Sequence, residues 1–432
     1  MPVTSAASWR RAETLARFRR RIPPLDLAER ERIVDAAIGM LSDYYVHLPQ
    51  KQASHSVDPV ARLRALRRGR RALFPFAALP AGWAEVTSAI PRNFIAASLR
   101  TGGTELGYIR IHTFLTEDAD AFVAEFAGLL ARVPPRGLIL DVRDNGGGVV
   151  DAAERCLQLL TPHLVTPAPM QLRATPAVLA LCQGQGPSNP DRVADLSAWA
   201  ASVQHALEVG TAYSVALPMT PPEACNALGQ RYHGPVVLLT SALSYSATDI
   251  FAGGFQDHGI GPVLGVHAAT GAGGANVWPL TILQQALGAP QPLPQGAELR
   301  VAMRRSLRIG RNAGLELEER GMVPKYVHDL TRRDLLCGGP DMMAAAAKLL
   351  LGLPWRQLDV DLLGGQGLRV RLRLRNADRL DTWGNGRPLL SQDVAVGPEG
   401  AEVRLAVLGP ARVELRAYAG GEVVARRVFD VA

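Results

Sequence analysis

Lysine is almost missing from this chain. Of 432 residues only Lys51, Lys325 and Lys348 are lysine, so any chemistry that needs an amine base has three places to find one. Arginine supplies nearly all of the positive charge behind a net +7. Cysteine is scarce as well. Cys156, Cys182, Cys225 and Cys337 form no CxxC pair and read as buried free thiols. No apolar run reaches the ~18 residues that a membrane-spanning helix needs. The N-terminus is polar and arginine-rich and lacks an apolar h-region, which predicts no signal peptide and a cytoplasmic location. A nucleic-acid motif is also lacking. The arginines cluster only at Arg17, Arg19, Arg20 and Arg21 and at Arg67, Arg68, Arg70 and Arg71, with Phe18 alone interleaved. A solvated basic surface without a nucleic-acid partner is the expectation.

What is present is the composition of a folded protein, with 47% hydrophobic and 20% charged residues. The length exceeds one ordinary hydrophobic core and predicts two or three domains. Residues 1–73 read as a helical lead-in. The apolar residues Leu27, Ile33, Ala37, Met40 and Tyr44 recur at helical spacing over 27–46, and 58–71 form a second, basic helix. Pro75, Pro80 and Pro91 interrupt the next stretch, so 74–104 read as a linker or reduced subdomain.

From 105 to 352 strands and helices alternate, which predicts an α/β core. Strands are expected at 107–112, 137–142, 235–240, 262–266 and 297–308. Helices are expected at 117–132, 149–160, 246–257 and 340–351. Residues 183–230 read as an insertion with some helix near 195–208. After Pro354, period-2 alternation with Gly, Pro and Asn turns predicts a small all-β C-terminal domain over 353–432.

Two segments carry chemistry. The first, DVRDNGGG (141–148), ends a buried strand and opens a helix. Glycines there let the backbone turn tightly, and free N–H groups at a helix start favour an anion or a developing oxyanion. It lacks the spacing of a Walker A loop or of a dinucleotide fingerprint, and a plain strand-to-helix turn remains the alternative. The second, TSALSYSATDI (240–250), directly follows a strand. A serine at a strand-to-helix turn has its hydroxyl held out and the following N–H free, as an activated nucleophile requires. Helix capping by Ser244 or Ser246 is the competing role.

Taken in order, GYIRI (107–111), DVRDNGGG, LSYSATDIFAGGFQDHG (243–259), VLGVHAATGAGGANVW (263–278) and LELEERGMVP (315–324) resemble the catalytic domain of the tail-specific (C-terminal-processing) serine protease family. YYVHLP (44–49) and DPVARLR (58–64) resemble the helical lead-in of one branch, the one closer to tricorn and interphotoreceptor retinoid-binding protein-like members. The resemblance implies a spiral β-α core of the crotonase and Clp-protease type. It implies Ser246 as nucleophile, the N–H groups of Gly147 and Ala247 as oxyanion hole, and Glu319 as a catalytic glutamate. Asn145, Gly146, Gly271, Gly273 and Gly274 would line the peptide-binding cleft. Such a hydrolase acts on peptides or proteins and needs no metal or organic cofactor.

The sequence departs from that pattern where the base should be. Much of the family places a lysine in a G-K-G step, which here is Gly271-Ala272-Gly273. The histidine segment of the tricorn-like branch has no counterpart, because 74–105 contains no histidine. His258 lies twelve residues along the helix from Ser246, a rise of ~18 Å. His267 and His112 are the remaining candidate bases beside the core strands. Asp144 stands where the motif more usually has glycine, with Arg143 as a candidate to offset its charge, and Asp249 reads as a helix-dipole partner. The leading expectation is a serine-type peptidase. A peptide-binding pseudoprotease without a base is the alternative, and a coenzyme-A-ester enzyme on the crotonase fold is a third.

Overall fold

A computed structural model describes residues 79–431, apart from 81, 185–194, 275–276, 280–298, 319, 364–367, 395–400 and 406–410. The predicted helices at 27–46 and 58–71 and the lead-in motifs lie outside the described residues. The chain divides into two units, Gly82–Val327 with Ala346–Ala432, and Met1–Ala81 with His328–Ala345. Among the described residues no helix is long and apolar enough to cross a membrane.

In chain order the larger unit begins with β1 (Ala84–Val86), β2 (Phe94–Thr101), β3 (Thr104–Ile111), α1 (Ala119–Arg132), β4 (Leu138–Asp141) and α2 (Val150–Gln158). Then follow β5 (Pro169–Leu172), α3 (Pro176–Gly184), α4 (Ser197–Val209), β6 (Leu217–Pro218), α5 (Pro222–Cys225), β7 (Val236–Thr240), α6 (Ala247–Asp257) and β8 (Val263–Gly265). Short strands β9 (Val277–Pro279), β10 (Arg300–Ala302), β11 (Arg304–Ser306) and β12 (Tyr326–Val327) complete the core.

The main sheet has seven strands in the order β1-β2-β3-β4-β7-β8-β12. β1, β2 and β3 pair antiparallel, and from β3 onward the pairing is parallel. This is the expected α/β core. β4, β7 and β8 are buried along their whole length, as near-continuous apolar strands should be when helices cover both faces.

The sheet starts earlier than the prolines suggested. Pro91 sits in the turn before β2 rather than inside a strand. Phe94, Ala96, Ala97 and Leu99 of β2 are buried, so 84–101 belong to the sheet and are not a linker. The single strand expected over 297–308 is two. β10 pairs with β9 and β11 pairs with β5, with Met303 buried between them. α3 was not foreseen. Cys156, Cys182 and Cys225 are buried free thiols, whereas Cys337 is exposed.

A run of phenylalanines ties the helices to the sheet. Phe94 packs against Phe122 (ring centroids 4.6 Å) and Phe126 (6.0 Å). Phe122 meets Phe114 (5.7 Å), and Phe114 meets Phe251 of α6 (5.3 Å). Each such pair contributes about 0.5–1.5 kcal/mol beyond the area it buries. Phe114 thereby joins the segment after β3 to the helix that begins at Ala247.

From 357 onward the chain forms β13 (Gln357–Leu363) to β19 (Glu422–Val431), in two antiparallel sheets, β13-β14-β17 and β16-β15-β18-β19, where β14 is Leu368–Arg375, β15 Arg379–Gly384, β16 Arg387–Asp393, β17 Ala401–Leu405 and β18 Ala411–Ala419. Leu358, Leu372, Leu380, Val413 and Leu415 share one core between the sheets, the layered β-arrangement that the alternation predicted. In the smaller unit, helix α7 (Arg332–Cys337) opens with a capping box between Thr331 and Asp334, and His328 bonds Asp334 at 2.6 Å. It is followed by α8 (Pro340–Leu351), which begins in that unit.

A charge cluster closes the end of β4. Asp141 is fully buried. It accepts from Tyr108 Oη (2.8 Å) and from the backbone N–H, Nε and Nη2 of Arg143 (3.0, 2.9 and 2.6 Å), and Arg110 stands at 3.5 Å. Burial alone would raise its pKa, but the two guanidinium groups outweigh it and hold the carboxyl well below the usual range. Removing one partner of a buried pair strands the other charge and costs roughly 3–5 kcal/mol. Asp141→Ala should therefore lower the unfolding free energy in urea by about that amount. A loss of under about 1 kcal/mol, the worth of a surface pair, would show that the cluster does not carry charge as described.

Candidate active site

β4 and β7 run parallel in register, with Asp141 opposite Leu239. The turns that leave their C-terminal ends therefore emerge side by side, at the edge where open parallel sheets place their ligands. The turn after β4 is 142–148 and the turn after β7 is 241–246. They are laced together: Ser244 Oγ donates to the Val142 carbonyl (2.8 Å), Asp144 N–H to Ser241 Oγ (3.0 Å), and Tyr245 N–H to the Asn145 carbonyl (2.9 Å).

Ser246 ends the second turn with φ 58° and ψ −122°, directly before α6. A non-glycine residue there carries about 1–3 kcal/mol of strain, and a strained serine between strand and helix is the geometry that holds a nucleophile out. Its hydroxyl makes no capping hydrogen bond, and the residue is half-buried. The capping role considered for Ser246 is thus not the one it plays. Ser244 is instead a buried staple, accepting from Ser241 N–H (3.0 Å) while donating to Val142.

Gly147 lies against this turn. A methyl group on it would come within 2.6 Å of Ser246 Cβ and 2.9 Å of the Ala247 nitrogen. Ala247, the first residue of α6, has an N–H with no acceptor within its own helix. The two expected oxyanion donors are therefore adjacent, but they differ. The Gly147 N–H already donates to Asn145 Oδ1 (2.9 Å).

Asn145, expected in the peptide cleft, is fully buried and serves as a staple, its Nδ2 reaching the Ile111 carbonyl at 3.0 Å. Half-buried Gly146 stands between them. Gly148 is exposed, and its missing side chain leaves room for the backbone of Phe114 and Leu115.

The glycines at 271 and 273 face the Tyr245 ring, which fills the space that side chains would need. Gly274 packs on Ser306, Leu317 and Glu318. A steric demand for glycine at these positions thus already comes from within this chain. Between them Ala272 adopts φ 65°. The charge of Asp144 (φ 61°) is offset most directly by Arg110 at 3.4 Å, with Arg143, bonded to Asp141, adding attraction.

The candidate bases are placed as follows. His267 accepts the Ala242 N–H at Nδ1 (3.2 Å), and burial lowers its pKa, so it stands neutral and tied to the backbone rather than to Ser246. His112 follows β3 and its N–H donates to the Asn93 carbonyl (2.8 Å). His258 caps the far end of α6 and contacts Thr166 (3.2 Å). Glu319 lies outside the described residues. Its neighbour Glu318 lies beside Gly274, and its two oxygens accept the Ser306 N–H (2.9 and 3.0 Å). Burial pushes it up to about 7, against hydrogen bonds and Arg304, while Asp249 adds to the rise.

Asp249 is fully buried and accepts from Ala272 N–H (3.2 Å) and Gly273 N–H (3.0 Å). Reading it as a dipole partner missed these contacts, because they come from residues far along the chain. The contacts of Glu318 were not foreseen, because LELEER carries three acids and the resemblance pointed to its neighbour Glu319.

Residues 105–288 match the model of the family described as peptidase family S41. No curated protein matches. Among solved structures, mature CPAF is 18% identical over 62% of this chain and 55% of its own, with a TM-score of 0.46. The photosystem II D1 C-terminal processing protease is 17% identical over 59% and 61%, TM-score 0.32. The tricorn protease is 19% identical over 57% and 18%, TM-score 0.30. The chain thus spans a little over half the length of the CPAF structure it matches.

The close approach at Gly147 can be isolated by comparing two alanine substitutions. Gly147 and Gly102 both have left-handed φ, 101° and 52°, but a methyl on Gly102 meets nothing. Both variants carry a backbone penalty of about 1–3 kcal/mol, and only Gly147→Ala adds a clash. Its melting temperature should fall clearly below that of Gly102→Ala. Equal melting temperatures would mean that the two turns do not touch as described.

Proposed function

We propose that this chain, which carries a peptidase S41 domain over residues 105–288, hydrolyses peptide bonds through an acyl-enzyme on Ser246. The observation that carries the reading is the strained, uncapped Ser246 beside the Gly147–Ala247 contact. The Ser246 oxygen would attack the scissile carbonyl carbon and lose its proton to a base. The carbonyl oxygen, now negative, would be met by the Ala247 N–H. The Gly147 N–H can join it by exchanging Asn145 Oδ1 for the more strongly accepting oxyanion. Collapse of the tetrahedral intermediate expels the amine, which takes up a proton, and water then releases the acyl group in the reverse sense.

Ala272 cannot supply the base, and arginine does not deprotonate in proteins. His267 would have to give up the Ala242 N–H to act through Nδ1. A second reading, peptide binding without turnover, draws on one observation: among the described residues, no side chain hydrogen-bonds the Ser246 hydroxyl. Substrates in either case are peptides or proteins.

A fluorophosphonate probe separates the two. The folded protein should be labelled covalently, and Ser246→Ala should abolish the labelling while leaving the melting curve in place. Absence of labelling in the folded wild type would sink the hydrolase and leave the binding reading.

A further inference from the structure

We infer that Asp249 is the positioning residue of this site: its carboxylate ties the Ser246 turn to the 270–273 loop and so holds the nucleophile in its strained conformation. The inference rests on Ser246 being the nucleophile, and it goes beyond the roles assigned above.

A carboxylate three residues into a helix commonly bonds the N–H of the residue before the helix, half of a capping box. Asp249 holds that position in α6, three residues after Ser246. Its two oxygens, however, take the N–H groups of Ala272 and Gly273, 23 and 24 residues downstream. In the same loop the Thr270 hydroxyl accepts the Met322 N–H (2.7 Å). Asp249 is therefore the hub at which the nucleophile turn, the glycine-rich loop and the segment before β12 meet.

The strained residues point to the same hub. Ser246 (φ 58°) and Ala272 (φ 65°) are two of the three non-glycine residues with left-handed φ at this site; Ala272 donates its N–H to Asp249, and Ser246 precedes Asp249 by three residues at the start of the same helix. Strain of this kind persists only when the surroundings over-determine it. An anionic acceptor makes stronger hydrogen bonds than a neutral one, roughly twofold. An asparagine of the same shape would turn an NH2 group toward one of these N–H donors and lose that bond. The charged neighbour of Asp249 is Glu318, on the segment that packs against Gly274, and Arg304 of β11 lies near Glu318 in turn.

The test reads the tie without requiring activity. In amide proton spectra of the full chain, the Ala272 and Gly273 resonances should move together with pH, with one midpoint near 6, where burial places the Asp249 carboxyl. They should stay flat in Asp249→Asn and still move in Glu318→Gln, which removes the neighbouring titration. Independent shifts of the two amides, or a common titration that persists in Asp249→Asn, would overturn the tie. The second readout is fluorophosphonate labelling, which should slow roughly 100-fold in Asp249→Asn, the penalty typical of an ångström-scale misplacement. An unchanged rate in a labelled protein would refute positioning. No labelling of the wild type would instead strike at Ser246 as nucleophile, leaving the amide titration to decide the tie alone.

Discussion

The contact between Gly147 and the Ser246–Ala247 peptide is the constraint on which the rest of this site depends. Two turns leave neighbouring parallel strands, and the backbone of one must reach the backbone of the other. Only a residue without Cβ permits the approach. What the approach achieves is to place Gly147, Ser246 and the Ala247 N–H within one small volume, on elements fixed by the sheet. The Phe114 ring on Phe251, the Phe114 N–H on the Gly147 carbonyl (2.9 Å) and Asn145 between the turns all preserve it. Preorganisation of this kind is where most electrostatic catalysis resides, because the donors need not reorient when charge develops.

Charge under the site follows from the chain's reliance on arginine. Arg110 and Arg143 neutralise Asp141 and Asp144 just below the glycine-rich turn. Their planar, permanently charged forks suit a buried carboxylate, and they are useless as bases for the same reason. A chain with three lysines can therefore build a charged floor beside the Ser246 turn from arginine and carboxylate alone. The lysine step of the resemblance has become Ala272, whose N–H and not its side chain is used.

The sheet was legible because β4, β7 and β8 are short apolar runs and α1, α2 and α6 carry helical periodicity. β1 and β2 were hidden by reading Pro91 as a breaker inside an element when it stands before one. The two turns were legible through local turn chemistry, and Ser246 and Gly147 within them through the family resemblance. The engagement of Asn145 with Gly147, the Tyr245 ring over Gly271 and Gly273, and the many contacts of Asp249 were not. Each joins residues separated by a turn's conformation or by more than 20 positions, and side-chain direction at a turn is not periodic. Arg110 illustrates the limit. On a strand of alternating apolar residues it reads as the exposed face, yet it is 4% exposed because Asp141 and Asp144 draw it in.

Asp249 also shows what such an arrangement costs. Its carboxyl is raised from 3.8 to about 6, chiefly by burial, even with several donors aimed at it. An acid whose folded pKa lies above its unfolded one stabilises the fold fully only below the unfolded value. That contribution is lost as pH rises through the folded value. A difference of this size corresponds to about 3 kcal/mol given up between roughly pH 4 and pH 7. Fold stability alone would favour a neutral side chain at this position. What the charged form provides is a grip on backbone, the N–H groups of strained Ala272 and of Gly273, which no apolar residue could accept. A buried carboxylate in the first helical turn after a strained serine exchanges stability for geometry.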